Sequence, residues 1–165
     1  MRVGSAFAGH AAPGTIVRAD ADIRSVRLRQ LWQYWRARHN GTAPPTRRDI
    51  DPLEIPRLLP YVMLVDVLDG AADFRYRLVG THVTTIHGAD NTGKRVSECF
   101  GPNEREQVVA LFRRVVREGV AIAFRGRPKR RDNRVLEYEI VHLPLRAENG
   151  AVGIVLAGLE FTLSR

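Results

Sequence analysis

The clearest alternation of apolar and polar positions lies in residues 73–79, DFRYRLV, where Phe74, Tyr76 and Leu78 alternate with Arg75, Arg77 and Val79. A period of two predicts a half-buried strand. The pattern stops at Gly80, and the THVTTIH that follows is ended by Gly88, a helical turn too short to stand without a covering surface. Thr81 reads as its N-cap, with Val83 and Ile86 facing inward. Upstream, residues 58–68, LLPYVMLVDVL, are apolar at nearly every position, as in a strand covered on both faces. The DGAAD between the two predicts an antiparallel hairpin. Residues 101–119 carry a helical period, with Val108, Leu111, Phe112, Val115 and Val116 on one stripe. Asn103 and Glu106 there resemble a capping box. Three strand patterns close the chain. One has Val120, Ile122 and Phe124 on one face; the next has Leu136, Tyr138, Ile140 and His142 opposite Glu137 and Glu139. The last, 151–161, is apolar on both faces, and Asn149-Gly150 before it marks a tight turn.

Residues 21–39 form an amphipathic helix by the same criterion, with Asp20 or Asp22 as cap. Leu28, Leu31, Trp32 and Trp35 fall at i, i+3, i+4 and i+7, and arginines fill the other faces. A connector punctuated by proline and aspartate, 40–57, follows. The expected organisation is a flexible tail over 1–20, a helix and connector over 21–57, and a folded domain over 58–165. Two strands, short helices, a long helix and three strands give an α+β fold. It is a five-stranded antiparallel sheet with helices on one face, preceded by the amphipathic helix. Tryptophan-rich stripes anchor interfaces, so Leu28, Leu31, Trp32 and Trp35 are expected at a homodimer contact in preference to a lid on the chain's own sheet.

Composition narrows the classes. The 165 residues are 44% hydrophobic and 27% charged, typical of one soluble globular domain. The single cysteine, Cys99, excludes an internal disulfide, and no apolar run approaches the roughly 20 residues of a membrane span. A cytoplasmic protein is expected. The net charge of +8 is almost wholly arginine and raises an anionic partner. Its densest run, RGRPKRRDNR at 125–134, has no interleaved aromatic residue and no docking motif around it. A charged hairpin tip is the expectation. A nucleic-acid-binding adaptor using that tip is the alternative reading, and salt-dependent binding is its mark.

The order of elements resembles the PAS domain, over roughly residues 58–162. The segments RRDIDPLEIPRLLPYVMLVDV, FRYRLVGTHVTTIHG and TGKRVSE, and a closing LPL…NG hairpin, are similar to those of bacterial single-domain PAS-type proteins. The resemblance implies a cupped sheet whose concave face is closed by the short helices and the long helix, so the turn after Gly80 seals one mouth of the cup. It also implies a ligand held between sheet and long helix. By strand parity and helix face the candidate lining is Tyr76, His87, Phe112, Ile122, Tyr138 and His142.

Cofactors follow from residue type. In the light-sensing flavin subtype a reactive Cys follows the glycine that is here Gly93. By that register its position is Val96, its Asn neighbour is Arg95, and Cys99 comes about one helical turn late. In haem-binding relatives the axial histidine usually lies on the long helix, and residues 103–118 contain none. No cofactor and no metal site are expected, and His142 is read as a core histidine. Cys99, His87 and Asp90 carry no local catalytic signature, and no phosphate-binding loop appears, so an enzyme is not expected. Glu137 and Glu139 read as a solvated rim. The expected function is a non-catalytic sensory or signalling module that binds a small ligand or a protein partner. Its signal is expected to pass through dimer contacts or to a separate signalling protein.

Overall fold

Residues 58–68 begin with a proline-bearing 3-10 turn, Leu59–Tyr61, and become a strand only at Val62. The computed structural model describes residues 15–17, 19–39, 41–126 and 136–163. Its strands are β1 (Thr15–Val17), β2 (Val62–Leu68), β3 (Asp73–Val79), β4 (Ile122–Gly126), β5 (Leu136–Arg146) and β6 (Val152–Leu163). Its helices are α1 (Val26–Ala37), α2 (Thr81–His87), α3 (Val96–Cys99) and α4 (Pro102–Glu118). The strands form one antiparallel sheet in the order β1-β4-β5-β6-β2-β3. The five expected strands are all present. The short β1, from the segment expected to be a tail, adds a sixth beside β4.

Each face of the sheet carries its own core. On the inner face Val65, Phe74, Tyr76, Ile140 and Leu159 pack with Val96 of α3 and with Phe112 and Val115 of α4. On the outer face Leu64, Val141, Leu143 and Leu156 pack against α1. Here the expectation for the tryptophan stripe is corrected. Leu28, Leu31, Trp32 and Trp35 are 1–5% exposed and lie on the chain's own sheet. Burying four such side chains contributes about 6–12 kcal/mol before chain entropy is subtracted. Close approach is possible because β6 has Gly158 beneath the helix, where a Cβ would lie 2.7 Å from Leu31 Cδ2 and 2.8 Å from Leu28 Cδ2. Trp35 also donates its indole N–H to the Pro144 carbonyl at 2.9 Å.

Several local expectations shift by a residue or more. The pairing of β2 with β3 slips between Leu64 and Val65, so Leu64 faces Leu78 but Val65 faces Tyr76. Arg77 is the extra residue of this bulge. Leu78 therefore leaves the face of Phe74 and Tyr76 and is 42% exposed on the outer side. Ser25, not Asp20 or Asp22, caps α1, accepting from the Leu28 N–H at 3.0 Å. Asp20 instead bonds Gln33 and Arg36. Helix α4 starts at Pro102 with Gly101 as N-cap, rather than around Asn103, because proline at the first position has no orphan N–H to satisfy.

Gly80, not Thr81, is the N-cap of α2, and the reason is crowding. A Cβ there would stand 2.3 Å from the Pro60 oxygen and 2.5 Å from the Leu59 oxygen. The Gly80 N–H donates to Val62 O at 2.8 Å, Val83 is fully buried, and the rings of Tyr61 and His82 pack 4.5 Å apart. The short turn is thus held by the 3-10 turn beside it. At the other end, Asp73 ties β3 to α3 by accepting from Ser97 Oγ at 2.6 Å and the Ser97 N–H at 3.3 Å, and it also accepts from the Phe74 N–H at 2.8 Å. Burial pushes its carboxyl up, but these donors and Arg95 outweigh burial and hold it below the usual value.

Two outcomes are expected. Gly80→Ala costs about 2–3 kcal/mol in urea unfolding, because backbone must move; an unchanged midpoint would refute the close contact. The stability from Asp73 is present above its unfolded-state value of about 3.9 and is lost as pH falls through the depressed folded value. Asp73→Asn should therefore flatten the acid limb of a Tm-versus-pH profile.

Candidate functional site

The inner-face residues singled out from the sequence are buried between sheet and helices. Tyr76, Phe112, Ile122 and Tyr138 belong to one core cluster. His142 is 1% exposed and meets Phe112 edge-on at 5.0 Å, and Phe74 packs on Phe112 at 5.1 Å. Tyr138 lies between Phe124 at 6.0 Å and Phe161 at 5.9 Å. His87, at the last turn of α2, is also buried, with its Nδ1 3.3 Å from Asn91 Nδ2. Burial pushes the phenols of Tyr76 and Tyr138 far above their ordinary value, so both remain protonated donors at neutral pH. The interior offers aromatic faces, two tyrosine hydroxyls and two imidazoles.

Val96, at the position where the resemblance would put a reactive thiol, is fully buried in the inner core. Cys99 lies one turn on, half-buried, and its Sγ donates to the Arg95 carbonyl at 3.3 Å. Burial pushes this thiol up, opposed by Lys94, which leaves it a poor nucleophile. Among the described residues no three His, Cys, Asp or Glu side chains gather at metal-binding separation.

The outer face holds a feature that sequence reasoning misread. Glu139 was expected on a solvated rim with Glu137. It does point outward, but it is 6% exposed, because α1 covers that face. Its carboxylate accepts from the Arg24 N–H at 3.0 Å and the Ser25 N–H at 2.7 Å. It also accepts from Arg125 Nε at 3.2 Å and Nη2 at 3.0 Å, and the same guanidinium reaches the Asp22 carbonyl at 2.7 Å. Glu160, its cross-strand partner on β6, accepts from Ser25 Oγ and pairs with Arg27 at 2.8 Å. Two adjacent carboxylates thus hold the first turn of α1, where the helix presents unpaired N–H groups and positive dipole. Within the sequence, the signal lay in Glu139 and Glu160, whose pairing is invisible until register is known.

Tyr138, Glu139 and Ile140 are consecutive on β5, so one strand presents its neighbours to the inner core and its carboxylate to α1. Three clefts bounded by described residues open on the outer side, one of them against this carboxylate pair. Of the basic run 125–134, Arg125 is committed to Glu139 and residues 127–134 lie outside the described residues. No described helix is long and apolar enough to cross a membrane.

The sequence profile of the PAS domain matches residues 23–159, most of the chain. The chain belongs to the PAS domain family. Solved structures similar to this PAS domain include an RNA-binding light-oxygen-voltage receptor, at TM-score 0.46 and 19% identity over 73% of this chain and 36% of that one. The present chain thus spans about a third of that receptor. The light-state LOV domain of the blue-light photoreceptor Aureochrome1 is similar at TM-score 0.46 and 13% identity, covering 66% of this chain and 86% of that one. A light-oxygen-voltage domain studied with a flavin analogue is similar at TM-score 0.46 and 16% identity, covering 67% and 82%. No curated protein matches the sequence.

Glu139→Ala should lower stability by about 2–4 kcal/mol, because it removes the carboxylate partner of Arg125 and of the Arg24 and Ser25 N–H groups that lead into α1. Trp32 and Trp35 fluorescence should shift to the red in native buffer. A variant that keeps wild-type emission and Tm would show that the carboxylate does not hold the helix.

Proposed function

We propose that this PAS domain is a non-catalytic sensory or interaction module in which α1 is the moving part. The observation that carries the reading is the back-to-back arrangement on β5, where Tyr138 and Ile140 line the inner core while Glu139, between them, grips the start of α1. A change in the inner core that tilts this strand by a fraction of an ångström misaligns the charge-assisted hydrogen bonds to Arg24 and Ser25. Such bonds weaken steeply with distance and angle.

Release of α1 would uncover Leu28, Leu31, Trp32 and Trp35 together with the apolar outer face of the sheet. A surface of that kind does not stay in water; it recruits a second copy or a separate signalling protein. The closed and released arrangements are two packings, and whatever binds one more tightly shifts their populations. A small ligand against Tyr76, His87, Phe112, Ile122, Tyr138 and His142 is the proposed input. With a single cysteine and so no internal disulfide, the cytoplasm is the proposed setting.

Hydrogen exchange tests the coupling. Phe112→Leu alters the inner core and leaves the outer-face core untouched. Exchange should rise about tenfold over residues 24–37 while β2 and β3 change less, since about 1.4 kcal/mol of loosening is a factor of ten. A uniform rise along the chain, or none in α1, would refute transmission through β5. Native mass spectrometry of the same protein reports whether release is accompanied by dimerisation.

A further inference from the structure

The connector that enters β2 walls an apolar groove on the outer side of the sheet. The groove measures about 420 Å³ and is lined by Ile50, Pro52, Pro56, Leu59, Leu64 and Leu78, among others. Leu78 is there only because the β3 bulge turned it outward. The groove sits in a rigid frame: prolines line it, and Gly80 and Val62 of its lining are joined by a Gly80 N–H to Val62 O hydrogen bond at 2.8 Å. Its size falls in the range of small-molecule sites.

A second cleft of about 500 Å³ adjoins it, and Arg47 lines both. Arg48, Arg77 and Arg146 line this second cleft, against one lining carboxylate, Glu148. Arg146 is braced by Nε donating to the Pro44 carbonyl at 3.0 Å, and Arg47 by Nη1 donating to the Ile50 carbonyl at 2.8 Å. Arg77 pairs with Asp66 at 2.7 Å. Arg48 faces Glu148 at 3.7 Å with both side chains over 90% exposed, a contact that water screens and a ligand displaces at little cost.

We propose that these joined clefts bind a free, single-chain anionic amphiphile, its alkyl tail in the proline-walled groove and its carboxylate on the arginines. The chemistry of the two compartments differs in the way the two ends of such a molecule differ. The four arginines of the second cleft favour an anionic end group over a neutral or cationic one. The site is separate from the inner core and from the carboxylate pair at α1.

Titration calorimetry with dodecanoate, below the concentration at which it forms micelles, tests the site. One dodecanoate should bind per chain, and affinity should rise about two- to fourfold per methylene from octanoate upward. Dodecanol and dodecyltrimethylammonium should bind about tenfold more weakly or worse, lacking the charge that the guanidiniums recognise. Leu78→Glu should abolish binding, and Leu78→Ala should weaken it if the first variant is poorly folded. Arg48→Glu, at a side chain in solvent, should weaken dodecanoate but not dodecanol. The proposal is overturned if the ammonium compound binds as well as the carboxylate, or if the Leu78 variants retain affinity. It is equally overturned if dodecanoate fails to bind, as an acidic peptide occupant would require, or if only vesicles of anionic phospholipid are bound.

Discussion

Strands β2, β5 and β6 are apolar on both faces, so the sheet is stable only if water is excluded from both. Helices α2 to α4 cover one side, as the order of elements demands. The other side is covered by α1 and the connector, and it needs their whole apolar stripe. Every other feature of the outer face follows from that requirement. Gly158 lets the helix approach, Trp35 satisfies the Pro144 carbonyl, and Glu139 and Glu160 receive the helix start.

A cover held by apolar contact alone would be non-directional and graded. The carboxylate pair makes it directional, because Glu139 must match two backbone N–H groups and one guanidinium at once. A buried carboxylate that loses its partners is far worse off than an exposed one, so partial detachment of the helix start is disfavoured. That property suits the proposed switching between two packings. It also leaves the connector, not α1, as the wall of the proline-lined groove, so a ligand there would not compete with the helix for the same surface.

Much of the fold was legible because burial writes a period into the chain. The nearly continuous apolar run at 62–68 names a strand covered on both faces, and the alternation in 73–77 and the stripe Val108, Phe112, Val115 name their elements and inward faces. So do Tyr76, Phe112, Ile122, Tyr138 and His142, each buried where parity put it. Parity failed at Leu78, since a bulge depends on the partner strand. It told only half of the truth at Glu139, whose outward direction was right and whose exposure was not.

The sequence by itself therefore determined which residues face in, Leu78 apart, where helices start and stop to within about five positions, and that the Leu28, Leu31, Trp32 and Trp35 stripe must be covered. Those are local matters of periodicity, chirality and solvation. What covers the stripe, which carboxylate meets the helix, and which arginines share a cleft were decided only by tertiary structure. Each depends on strand register and on contacts between residues more than a hundred positions apart, such as Ser25 with Glu139, and nothing in a neighbour-by-neighbour pattern encodes such a meeting.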